Sequence, residues 1–231
     1  MGFLKRLFGD TRAEDSAPPV DNSSFEQLTE EEMEAHLGVA KYGDFVLTQA
    51  IRPSFDLQVT PRQGFRRDLY RDEQSRADIP VLMAAASAER LFDLFLELID
   101  PLGDEVDVVL ETSHHRDHGG HVDLYRETME TPILKSLLCD FEDLLLNDGC
   151  TGIAVLNPSL PQEVQFDEHK LLIVYGQPLH RYEQIFRRYG VPRLENLKFV
   201  TEAEHVHSSN DEYASLFEQF QTRLGIDSQR W

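Results

Sequence analysis

The stretch IPVLMAAASAERLFDLFLELIDPLGDEVDVVLET, residues 79–112, decides the fold class of this chain. It opens on Pro80–Ala86, a short apolar run of strand length. Ser87 then stands where a helix cap belongs. Leu91, Phe92, Leu94, Phe95, Leu96, Leu98 and Ile99 recur nearly all round the helix that follows, which predicts burial on most of its sides. Pro101 and Gly103 stop it. Glu105–Thr112 returns to strand chemistry, with β-branched residues between acids. Strand, helix, strand is a β-α-β pattern. It predicts an α/β or α+β chain, a mixed β-sheet from two βαβ-like halves with helices packed on it.

The second half comes from an offset of 90 residues, at which segment 81–115 lies on 171–205 without a gap. Leu82 falls on Leu172, Phe92 on Tyr182, Phe95 on Ile185, Leu110 on Val200 and His115 on His205. The pattern predicts a strand at 171–175, a helix at 178–189 and a strand at 197–201. It reads either as an internal duplication or as two units of similar length. Either way, each unit ends on histidines just past the carboxyl end of a strand, where open α/β sheets bind ligands.

Further out, Thr131-Pro132 starts a helix whose face is Ile133, Leu134, Leu137, Leu138, Phe141, Leu144 and Leu145. Gly152–Leu156 reads as a buried strand. Thr29-x-x-Glu32 and Ser209-x-x-Glu212 are capping boxes for a short early helix and the last helix. Phe45–Ile51 and Phe55–Thr60 read as strands, and residues 61–78 as a long arginine-rich loop. Residues 42–231 are thus expected to form a single α/β-type domain. Residues 1–41 are expected to be a flexible N-terminal tail. Its tip, 1–9, is amphipathic, with Phe3, Leu4, Leu7 and Phe8 set against Lys5 and Arg6. A polar Pro/Ser-rich linker and the short helix follow it.

A formal charge of −20 and a pI near 4.7 disfavour nucleic acid and anionic membrane surfaces as partners. No apolar run reaches the roughly 20 residues that span a bilayer. Two cysteines, Cys139 and Cys150, make no disulfide framework, which points to free thiols in a reducing compartment, the cytoplasm. One basic island, Arg52, Arg62, Arg66, Arg67, Arg71 and Arg76, meets either an anionic ligand or the acidic surface of the same molecule.

The chemistry concentrates in histidine. His114, His115, His118 and His121 are four of the nine histidines, set around Asp117 and Gly119-Gly120. His205 and His207 have i, i+2 spacing, which puts both rings on one face of a strand. If the strands at 105–112 and 197–201 are neighbours, His115, Asp117, His118, His205 and His207 can converge as N/O ligands for Zn²⁺ or another divalent transition metal. The run from Val109 is similar to the metallo-β-lactamase strand-end motif HxHxDH in its last four places, His115-x-Asp117-His118. Ser113 stands where the first histidine belongs, and the family's strand-rich N-terminal half and later ligands are missing. The likeness covers about ten residues and assigns no family. Glu168-His169-Lys170 is similar to the acid–lysine strand of Mg²⁺ nucleases, and Cys150 is a candidate nucleophile. GxSxG, P-loop and GxGxxG motifs are all absent.

With no complete catalytic set, the expected function is a non-catalytic cytoplasmic interaction or regulatory protein. It would need no cofactor and would meet a protein partner through residues 1–9 or its acidic surface. The alternative is a metal-binding protein or metal-dependent hydrolase using the His114–His121 loop with His205 and His207.

Overall fold

The structure is a computed structural model that describes residues 23–71, 77–114 and 121–226. The tip at 1–9 and the first part of the linker, as well as Arg76, His115, Asp117 and His118, lie outside the described residues. The class is α+β, with helices packed against one seven-stranded sheet.

The elements, in chain order, begin with helix α1 (Glu30–Leu37), capped by the Thr29/Glu32 box, and the short strands β1 (Lys41–Tyr42), β2 (Phe45–Val46) and β3 (Ile51–Pro53). The large sheet takes β4 (Gly64–Arg71), β5 (Asp78–Ala85), β6 (Glu105–Thr112), β7 (Val122–Glu130), β8 (Thr151–Leu156), β9 (Gln162–Phe166) and β10 (Leu172–Gly176). Helices α2 (Ala88–Ile99), α3 (Thr131–Asp140), α4 (Glu142–Asn147), α5 (His180–Arg188) and α6 (Asp211–Arg223) pack on it. Strand β11 (His205–His207) pairs with β3 in a separate two-stranded sheet.

The strand order is β4-β5-β10-β9-β8-β6-β7, and every ladder in it is antiparallel. The sheet is therefore not mixed in its pairing. Four antiparallel steps nevertheless leave β5 and β6 pointing the same way, so β5-α2-β6 is a true crossover with β10, β9 and β8 inserted between its strands. The second expected unit differs. Residues 172–176 and 180–188 form strand and helix, but 197–201 do not extend: Val200–Glu202 is a 3₁₀ turn. At the offset of 90, β6 of the first unit thus meets a turn in the second. Phe199 and Leu197 are buried there against the sheet as loop residues, which is why the segment reads as apolar.

Both edge strands escape the sequence pattern. The arginine-rich stretch expected as a loop is β4, and the residues after the histidine run are β7. An edge strand packs one face weakly and carries charge to block pairing with other chains. In β4 only Gly64 and Phe65 are buried, and in β7 only Met129. The expected strand at 55–60 is instead a run of turns.

Alternation sets the two faces of the sheet. Val106, Val108 and Leu110 of β6, Ile153 and Val155 of β8 and Val164 and Phe166 of β9 meet the helices. Phe95 of α2 sits 5.2 Å from Phe166, and Phe186 of α5 stacks on Phe65 at 5.1 Å. Helix α2 buries Leu91, Phe92, Leu94, Phe95, Leu98 and Ile99, as its sequence predicts. The opposite face is divided. Leu194, Leu197 and Phe199 pack on Val81 and Ile173, while Asp107, Val109, Glu111, Ala154, Leu156, Glu163 and Tyr175 form the remainder. Among the described residues no helix is long and apolar enough to cross a membrane.

Candidate metal centre

Three backbone segments meet beside the end of β8. The first is the turn Asp148-Gly149-Cys150 that leads out of α4. The second is the β9–β10 connection, a tight turn in which Lys170 N donates to Asp167 O and Leu171 N to Asp167 Oδ1. The third is β11. Its register on β3 sets His205 opposite Pro53 and His207 opposite Ile51. These segments are tied through Gly149, whose N–H donates to Ser208 O at 2.8 Å, while Ser208 N donates to Ala50 O at 2.8 Å.

Gly149 is required by this approach. A Cβ on it would stand 2.4 Å from Ala50 O and 2.9 Å from Ser208 O, both backbone atoms that cannot swing away. Gly149→Ala is expected to lower stability by about 2 kcal/mol in urea denaturation, because the turn and β11 must separate.

The i, i+2 pair lies on one face as expected, and its companion is His169. The ring centroids of His169, His205 and His207 are mutually 4.7–5.1 Å apart. One ring nitrogen or equivalent ligand atom from each lies within 4.8 Å of the others. The opposite nitrogen of each ring is engaged. His207 Nδ1 lies 2.6 Å from Gly149 O, His205 Nδ1 2.8 Å from Ala203 O and His169 Nδ1 3.0 Å from Asp167 Oδ2. Carbonyl and carboxylate oxygens only accept, so all three Nδ1 atoms carry the proton. In a neutral imidazole that leaves the lone pair on Nε2. This is the outer-shell pattern of metal-binding histidines, one of them with a carboxylate behind it.

The surroundings favour a neutral His207 ring. Burial lowers the His207 pKa, with His169 and His205 pushing the same way and Gly149 O and the Glu168 carboxylate opposing. Glu168 directly precedes His169, as Glu204 precedes His205. Glu168 accepts from Ser113 Oγ at 2.8 Å, and its Oε1 lies 3.5 Å from His121 Nε2. Ser113 precedes the expected histidine loop and His121 is its last residue, so both ends of that loop reach the residue next to His169. The joint site expected from sequence requires β6 to lie beside a strand at 197–201. Instead β6 lies between β7 and β8, and the link to His205 and His207 runs through Glu168 and Gly149.

A second group, His114, Asp148 and Cys150, stands behind the same turn. Asp148 is fully buried, with His114 Nε2 2.9 Å from its Oδ2. Burial raises the Asp148 pKa, but hydrogen bonds from His114, Ser209 and Thr151 outweigh it and hold the carboxyl below its ordinary value. Cys150 N donates to Asp148 Oδ1 at 3.3 Å. With so many donors on one carboxylate, this group is the brace of the turn. Lys170, similar by motif to a nuclease lysine, is buried and donates from Nζ to Thr151 O at 2.8 Å. Burial pushes it down to about 8.

The described arginines of the basic island are used mostly internally. Arg52 donates to Leu37 O, Thr48 O and Ile51 O, Arg66 pairs with Asp68 and Glu202, Arg67 with Glu183 and Arg71 with Asp78. Among the described arginines of the island, only Arg62 lines a cleft, which also reaches His169, Lys170 and Lys198. His169 carries a readable signal, a histidine between two acids and a lysine at a turn, but the nuclease likeness of that triplet uses only its acid and its lysine.

Neither protein-family models, curated proteins nor solved structures match this chain.

Proposed function

We propose that this is a metal-binding protein, with a divalent transition metal such as Zn²⁺ held by Nε2 of His169, His205 and His207. The observation that carries the reading is the outer shell: all three Nδ1 atoms sit against oxygens, which leaves the Nε2 lone pairs of three clustered rings for a ligand. Imidazole nitrogen suits Zn, Cu, Fe and Ni, and three protein ligands leave a position open for water or another group. Glu168 is the adjacent carboxylate for that position. Its oxygens already reach Ser113 and His121, so this chain supplies a proton acceptor whose orientation is fixed from the β6–β7 side. When bound, the metal supplies Lewis acidity at the open position. The two free thiols support a cytoplasmic setting.

Thermal melting tests the reading. Full-length protein stripped with a chelator and returned to Zn²⁺ is expected to regain several degrees in Tm, because a ligand that binds only the folded state stabilises it by mass action. Equal Tm with and without Zn²⁺, at concentrations well above those of a structural site, contradicts it.

A further inference from the structure

The small cleft that reaches His169 has a lining that runs against the charge of the chain. Its floor is apolar, built on the buried side chains of Ile51, Ala86, Leu91 and Leu171. Its charged lining is Arg62, Lys170 and Lys198, with no aspartate or glutamate among the described residues. The chain carries 42 acids against 22 lysines and arginines, so an acid-free lining with three cations is the reverse of what composition supplies. Arg62 and Lys198 are exposed, and neither forms an ion pair among the described residues. Arg62 Nη2 lies 3.5 Å from Asn196 O, which lays the guanidinium along the loop that carries Lys198. That loop is anchored to the sheet: Arg66 donates to Leu197 O and pairs with Glu202, and Phe199 is buried. Lys170 is buried and donates to Thr151 O, so it adds positive field from within rather than a contact at the rim.

Two exposed cations at the rim and a hydrocarbon floor match an anion with an apolar body. Inorganic phosphate leaves the floor unused, and a net charge of −20 repels a nucleic-acid backbone. A carboxylate is planar and accepts two parallel N–H···O bonds from one guanidinium. The cleft is small, so the apolar body is short. His169 lines it as well, which sets such a ligand beside the histidine trio. We infer that the cleft binds a short-chain aliphatic carboxylate, its charged end at Arg62 and Lys198 and its chain on Ile51, Ala86, Leu91 and Leu171. As a ligand of the histidine centre the carboxylate rests on the metal-binding reading above; as an occupant of the cleft it rests on the lining alone.

Amide-resolved NMR titration of the full chain with sodium n-butyrate tests this, in zinc-free and zinc-loaded protein at fixed ionic strength. Saturable shifts are expected at the amides of Ala86, Leu171 and Phe199. An Arg62→Gln, Lys198→Gln double variant is expected to bind butyrate about fivefold more weakly, since it loses two exposed charge contacts. Both side chains are exposed, so the variant keeps its fold, read as unchanged amide shifts away from the cleft. Inorganic phosphate and 1-butanol each carry half of the recognition and are expected to bind at least about fivefold more weakly than butyrate. Shifts that fail to saturate or fall elsewhere in both forms of the protein overturn the site. Equal butyrate affinity in the double variant, or phosphate or 1-butanol binding as tight as butyrate, does so too. Chelator competition for zinc on the same samples separates the two readings. A chain that binds butyrate in the cleft but no zinc keeps the cleft and loses the metal centre, and one that binds zinc but no butyrate does the reverse.

Discussion

His207→Ala is expected to weaken Zn²⁺ binding by more than about a hundredfold, since loss of an outer-shell partner alone costs about 10–100-fold. His207 is the strongest choice among the three ligands because its ring is fixed from two directions. Its backbone is set by pairing with Ile51, and its Nδ1–H points at Gly149 O. The ring cannot turn to another role without breaking the turn that also carries Asp148 and Cys150. Asp167→Asn separates ligation from orientation. An asparagine oxygen still accepts from Leu171 N and keeps the β9–β10 turn, but an amide nitrogen cannot accept from His169 Nδ1–H. That variant is expected to keep its stability and lose about 10–100-fold in affinity. Competition titration against a chromogenic chelator measures both. If His207→Ala binds as the unmodified chain does, the ligands are wrongly assigned.

Glu163→Gln is expected to stabilise the protein by roughly 3 kcal/mol at pH 8 and to change it little at pH 4.5, taking about 1.4 kcal/mol per pKa unit and discounting for coupling to Glu111. Burial pushes Glu163 up to about 8, with Glu111 and Asp123 adding repulsion. Burial likewise lifts Glu111 to about 8, beside Asp123, Asp167 and Glu168. In the unfolded chain both titrate near 4.5. Between those values the unfolded state has released the proton and the folded state retains it, so stability falls as pH rises through the window. Glutamine has no proton to release and removes the Glu163 share of that slope, leaving that of Glu111. Urea denaturation at pH 4.5, 6 and 8 reads the difference. A Glu163→Gln variant that loses as much stability with rising pH as the unmodified chain would show that Glu163 is ionised at no cost.

The parts of the fold legible in the sequence are those where local chemistry and burial agree. Thr29 and Glu32 announce a capping box and form one, with Glu32 Oε2 accepting from Thr29 N at 2.9 Å. Helix α2 is apolar on most sides and is buried on most sides. The two strands that escape are the two edges, β4 and β7, because an edge has little apolar face to display. Residues 197–201 mislead in the opposite sense, since Leu197 and Phe199 are buried in a loop laid over the sheet. The centre was half legible. The spacing of His205 and His207 is a strand-face signal, and that strand forms. His169 joins them from the β9–β10 turn, where Lys170 adopts a left-handed backbone (φ 63°), and no periodicity marks such a residue. The acidic part of the opposite sheet face is invisible in sequence because Glu111, Asp123 and Glu163 are brought together only by pairing across β7, β6, β8 and β9.

X-ray absorption at the zinc edge, on chelator-stripped protein reloaded with one equivalent of Zn²⁺, tests the histidine centre most directly. Three imidazole nitrogens at about 2.0–2.1 Å, with any further scatterer an oxygen, are expected from His169, His205 and His207. A sulfur at about 2.3 Å would move the metal to Cys150 and its neighbours, and zinc that washes off the reloaded protein would leave the three histidines without the role assigned to them.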